Sequence, residues 1–227
     1  MSRIPALLAL LLLAATSAHA GRPLNTDDAG VLDRGACELE GAAERQRAGS
    51  DRSTTQTLQL GCGVGRHTQL ALATGRAKDA GTRADLLGLS GKTALAGDEG
   101  RPMTTLGYGI DGSRSPGGNW RHAASALTLI HSRPLGHIGT LHLKLGHSRD
   151  EVAKRRSTPW GIGFEHAALG SLTPVAELHG DDREAPRWNV GLRWTVAAER
   201  VWLDASYGRQ IAPGRPQLLS VGFKLGF

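Results

Sequence analysis

After residue 20 the chain has no run close to the roughly twenty consecutive apolar residues that a transmembrane helix requires. Apolar stripes at the 3.6-residue helical period are missing as well. Both absences exclude a helical membrane protein and an α-helical bundle. Cysteine is reduced to Cys37 and Cys62, too few thiolates for a metal cage. The closely spaced His131, His137, His142 and His147 do not compensate. His142 and His147 differ in strand parity, and His131 and His137 flank a turn, so no metal or other cofactor is expected. No block of one charge sign occurs. The net charge of +6 is scattered, which argues against nucleic acid as a partner. Aromatics make up only 4% of the residues, thin supply for two complete interfacial belts.

What is present is export and alternation. Residues 1–20 read as a signal peptide. Arg3 is its positive end, Ala6 to Ala15 form an apolar stretch of about ten residues, and Ala18-His19-Ala20 is a small-x-small cleavage site. At the other end Leu219, Val221, Phe223, Leu225 and Phe227 alternate with Ser220, Gly222, Lys224 and Gly226. Successive strand residues point to opposite faces, so this segment has one greasy face and one small, polar face. An exported membrane protein without spanning helices must close a sheet on itself, the only other structure that satisfies its backbone in lipid. The expectation is an all-β fold: a transmembrane, antiparallel, up-and-down β-barrel in the bacterial outer membrane. The last ten residues resemble the closing strand of such barrels, which implies that the terminal Phe227 is read by the barrel-assembly machinery.

Period-2 segments between turn signals predict about twelve strands. They run over 35–47, 54–64, 67–77, 83–95, 102–111, 120–132, 137–149, 156–168, 171–180, 187–197, 200–209 and 216–227. This gives three parts: the signal peptide (1–20), a periplasmic N-terminal segment (21–34) and the barrel (35–227). With the N-terminus periplasmic, the odd connections should be long outer loops, at 48–53, 78–82, 112–119, 150–155, 181–186 and 210–215. The even ones should be short turns, and only 96–101 is longer than that pattern expects. Trp120, Trp160 and Trp188 are expected near the outer rim, and Trp202 and Phe227 near the inner one. Basic outer loops suit the phosphates of lipopolysaccharide.

Parity also sorts the polar residues. Glu40, Lys92, Lys144, Glu165, Glu177, Arg193, Asp204 and Lys224 are predicted to face the lumen. A twelve-strand barrel has room for side chains and some water. The mixed signs suit either a salt-bridged interior or a narrow polar path. Cys37 is in phase with Leu39, and Cys62 with Leu58 and Leu60, so both face outward on neighbouring strands. They form either a cross-strand disulfide or two small buried thiols.

Arg22-Pro23-Leu24-Asn25-Thr26-Asp27-Asp28-Ala29-Gly30, followed by Glu38-Leu39-Glu40, resembles the mature N-terminus of outer-membrane transporters of the MetA-pathway-of-phenol-degradation family. That resemblance implies a channel passing small organic compounds, hydrophobic or aromatic ones included. Asp27 and Asp28 suit either a structural turn or a cation site at the periplasmic rim. The alternatives are a non-conducting structural or adhesive barrel and, in another class, a lipid hydrolase. The last would need a Ser–His pair at the outer edge, for which His147 and Ser157 are the candidates.

Overall fold

Aliphatic residues alternating with small or polar ones give strands along almost the whole chain. The computed structural model describes residues 22–79, 81–198, 200–212 and 214–227. The expected signal peptide lies outside the described residues. The strands are β1 (Cys37–Ala48), β2 (Asp51–Gly63), β3 (Thr68–Asp79), β4 (Thr82–Ala96), β5 (Met103–Arg114), β6 (Arg121–Pro134), β7 (Gly139–Asp150), β8 (Arg155–Ser157), β9 (Trp160–His166), β10 (Leu172–Gly180), β11 (Arg187–Ala197), β12 (Val201–Gln210) and β13 (Gln217–Gly226).

All belong to one antiparallel sheet. Neighbours in sequence are neighbours in space, and β1 pairs with β13, so no edge is left open. β8 and β9 are a single stave. Ser148 faces Ser157 and Leu145 faces Trp160, an unbroken register against β7. The interruption falls at Pro159, which has no N–H to give the ladder. The Thr158 amide beside it donates instead to the Asp182 carboxylate at 2.6 Å and holds that carboxyl below its ordinary pKa. The barrel therefore has twelve staves.

Every second residue faces outward. Leu58, Leu72, Leu89, Leu145, Val190 and Leu219 are all exposed, between 43% and 59%. A soluble protein would not leave apolar surface of this extent uncovered. Around a closed barrel it is the lipid-facing band. Alternate positions carry the polar interior, where Glu165, Glu177, Asn189, Arg193 and Asp204 are buried.

Cys37 and Cys62 lie directly opposite each other and are joined by a disulfide with Cα atoms 4.1 Å apart. It closes a loop across a sequence separation of 25 and so restricts the unfolded chain. Cys37→Ser with Cys62→Ser is expected to lower the unfolding free energy by about 3 kcal/mol, read as an earlier urea midpoint in vesicles.

Four expectations need correction. The alternation of long and short connections is not seen. β1 and β2 are joined by Gly49–Ser50 alone, while Gly97–Pro102 at the other end is longer. Polar residues 51–53 read as a loop, yet they continue the ladder above the lipid band, with Ala48 opposite Asp51 and Arg47 opposite Arg52. Trp202 does not join an inner girdle. It lies opposite Lys224, on the lumen side, and the exposed Trp194 takes the lipid side near that end. Residues 22–34, expected in the periplasm, lie inside the barrel.

Candidate functional site

The lumen is occupied by the chain's own residues 22–35, which follow the inner wall and touch every stave. Arg22 donates to Ser220 on β13 at 2.5 Å and pairs with Asp204 on β12 and Glu44 on β1, both at 3.6 Å. Its carbonyl accepts two bonds from Arg193 on β11, and the carbonyl of Pro23 accepts one from Asn189. Next comes β10. The Asn25 and Thr26 amides each donate to Glu177 at 2.8 Å, as does the Thr26 hydroxyl. Thr26 rests on β9, and Lys144 on β7 donates to the Asn25 carbonyl.

The segment then passes to the opposite wall. The Ala29 amide donates to Ser132 on β6 at 2.8 Å, and its carbonyl accepts from Thr105 on β5. Lys92 on β4 bonds Asp27 and the Asp28 carbonyl, both at 3.1 Å. The Leu32 amide donates to Gln69 on β3 at 2.8 Å, and Gly35 to the Gly63 carbonyl on β2 at 2.9 Å. The chain enters β1 two residues later.

Local chemistry explains the shape. Asp27 takes a positive φ of 63°, and its carboxylate accepts the Asp28 amide, while the Asp28 carboxylate accepts the Gly30 amide. The second of these bonds is an Asx turn, which lets a chain curl without a helix or a strand. Of the two readings for this pair, the geometry supplies the turn, with Lys92 as its cation. Missing side chains on the wall make room. A Cβ at Gly161 would lie 2.6 Å from the Thr26 hydroxyl, one at Gly191 2.9 Å from the Pro23 ring, and one at Gly222 2.6 Å from Arg22. Leu24, Thr26, Ala29 and Leu32 are consequently buried.

The inward charged residues divide into two groups. Glu177, Lys92, Lys144, Asp204 and Arg193 hold the segment. Elsewhere Lys224 bridges Glu38 at 2.9 Å and Glu40 at 2.7 Å, and Glu165 pairs with Arg193 at 2.9 Å. Sequence parity picked out the ionisable residues and passed over the uncharged Gln69, Thr105, Ser132 and Asn189, which the same parity also turns inward. Glu38, opposite Gly226 and Gly61, was passed over too. Beside the segment, against β1–β6, a cavity of about 610 Å³ remains, lined among others by Glu38, Glu40, Lys92 and Lys224.

The Ser–His pair of a hydrolase is not assembled. His147 lies opposite the exposed Leu127 on the lipid side. Ser157 lies on the other face and shares a hydrogen bond with Ser148 at 2.8 Å.

Several solved structures share this architecture. The KdgM porin, in a complex with disordered oligogalacturonate, superposes with a TM-score of 0.64 at 11% identity, covering 84% of this chain and 99% of that one. The NanC porin gives 0.59 at 9% identity, covering 82% and 98%. The COG4313 outer membrane channel from Pseudomonas putida F1 gives 0.59 at 14% identity, covering 88% and 98%. At these identities the likeness is one of fold, the outer-membrane barrel. No curated protein matches. The family model that does match is not the phenol-degradation one to which residues 22–30 are similar. The chain belongs to the family described as Uncharacterised conserved protein UCP029691, whose model matches residues 7–227.

Proposed function

We propose that the protein is an outer-membrane channel for passive passage of small organic compounds, closed at rest by residues 22–35. One observation carries this reading: the segment is seated across the lumen on individual side chains, with a cavity of about 610 Å³ left beside it. A permanent filler would pack to interior density and leave no void of that size. The bonds that hold the segment are polar, so water can replace them when it lifts. Small organic cargo, aromatic compounds included, is supported by the similarity of residues 22–30 to the phenol-degradation transporters. The fold shared with porins and with the Pseudomonas channel supports passage in general.

The test is flux. Liposomes containing the purified chain are expected to admit small aromatic acids and alcohols faster than empty liposomes, with sugars of similar size slower. Equal rates with and without protein, together with no current in planar bilayers, would favour the structural barrel instead.

A further inference from the structure

The outer wall of β1–β5 carries a second feature, independent of the lumen. Arg47, Arg52, Arg76, Lys78, Arg83 and Arg114 all stand at the end of the barrel away from Gly35. By strand parity they share the outward face with exposed leucines: Arg52 with Leu58 and Leu60, Arg76 and Lys78 with Leu70 and Leu72, Arg83 with Leu87 and Leu89. The other half of this face carries no charged residue. Among the described residues Asp85 is the only acid on it, bound by Arg114 at 2.8 Å and near Arg76 at 3.6 Å.

The register sharpens the point. Arg47 lies directly opposite Arg52, and Lys78 directly opposite Arg83. Like charges directly opposed across a strand pair destabilise it, and among the described residues none of these four makes an ion pair. Anions placed between them would remove that cost. Just below, a groove of about 480 Å³ in the outer wall is lined by Leu58, Thr74, Arg76, Asp85, Arg114 and Trp120. The Arg114 guanidinium lies 4.9 Å from the Trp120 ring. Cations therefore stand over a groove of mixed lining, in which Leu58 and Trp120 supply the apolar part.

We propose that this face binds a phosphorylated, multiply acylated glycolipid of the outer leaflet, with the chemistry of lipid A. Its phosphates sit between the opposed cations, and an acyl chain lies in the groove against Leu58. Paired arginines suit phosphate oxygens through parallel N–H donors, and lipid phosphates are the anions found where the apolar band ends. The proposal orients the barrel with this end outward. It does not depend on whether the lumen conducts.

The test is lipid binding by the folded, detergent-solubilised protein, read from Trp fluorescence and from lipid retained after gel filtration. The probes are diphosphorylated lipid A, its dephosphorylated form, phosphatidylglycerol and inorganic phosphate. Replacing Arg47, Arg52, Lys78 and Arg83 by Gln is expected to weaken lipid A binding at least tenfold. Arg101→Gln with Arg133→Gln, at the opposite end, should leave it unchanged. Dephosphorylated lipid A should bind the wild type at least tenfold more weakly than lipid A does, an arm that stands even if the quadruple variant misfolds. Wild-type affinity in a folded quadruple variant, or equal affinity for the dephosphorylated form, would overturn the proposal. Phosphatidylglycerol or inorganic phosphate binding as tightly as lipid A would overturn its assignment to a glycolipid.

Discussion

Deletion of residues 22–33 is expected to raise the mean single-channel conductance at least tenfold while leaving the barrel folded. The two halves of this result have separate causes. Folding survives because the deleted residues belong to no strand. The twelve-stave ladder and the Cys37–Cys62 bridge do not include them. Side chains that lose partners, such as Lys92 and Glu177, gain water in the vacated lumen, so they are not stranded as in a dry core. Conductance rises because the segment contacts both walls, from Ser220 to Gln69, and its removal merges its own volume with the cavity beside it. Planar-bilayer recordings check the current, and the gel shift between boiled and unboiled samples checks the fold. An unchanged current from folded protein would refute the closing role of the segment.

The second large effect is expected at Glu177. Its two oxygens accept from the Asn25 amide and side chain, the Thr26 amide and hydroxyl, and Asn189. Among the described residues no other side chain on the wall is seen to hold as many donors of the segment. Hydrogen bonds to a charged group are worth about 1.5–3 kcal/mol each, and incoming water offsets much of that. Glu177→Ala should thus weaken seating by about 3 kcal/mol, roughly a hundredfold in the seated-to-lifted ratio. Glu177→Gln keeps one acceptor oxygen and should fall between. Open probability in bilayers reports the ratio, and cleavage by an Asp-specific endoproteinase at the buried Asp28 reports it independently. If Glu177→Ala changed neither, Glu177 would be a wall residue with no control over the segment.

The barrel was largely legible because a strand writes its two faces into sequence at period 2. Val190, Leu192 and Trp194 against Asn189, Gly191 and Arg193 needed no further context. The ring inside was not legible, and the reason is physical. Residues 22–35 bind the wall largely through backbone amides and carbonyls, as at Thr26, Ala29 and Leu32, and such bonds leave no periodic mark. The trace that does exist lies on the other partner: inward glycines at 161, 163, 191 and 222, where a filled lumen could have used side chains. The stretch around residue 51 misled for a different reason. Above the lipid band both faces of a strand meet water and can be polar, so polarity no longer separates ladder from loop.

The order of contacts also governs how the lumen can clear. Because the segment is tied to β1 just after Gly35 and is held at many points along the inner wall, it cannot withdraw as a piston. It must peel like adhesive tape, starting at the Arg22 cluster and ending at the Gly63 contact. On the proposed closing role, each detached stretch would leave a wider passage than the last. Current through a single molecule should accordingly climb in discrete sublevels, and shortening the segment residue by residue should remove those levels one at a time.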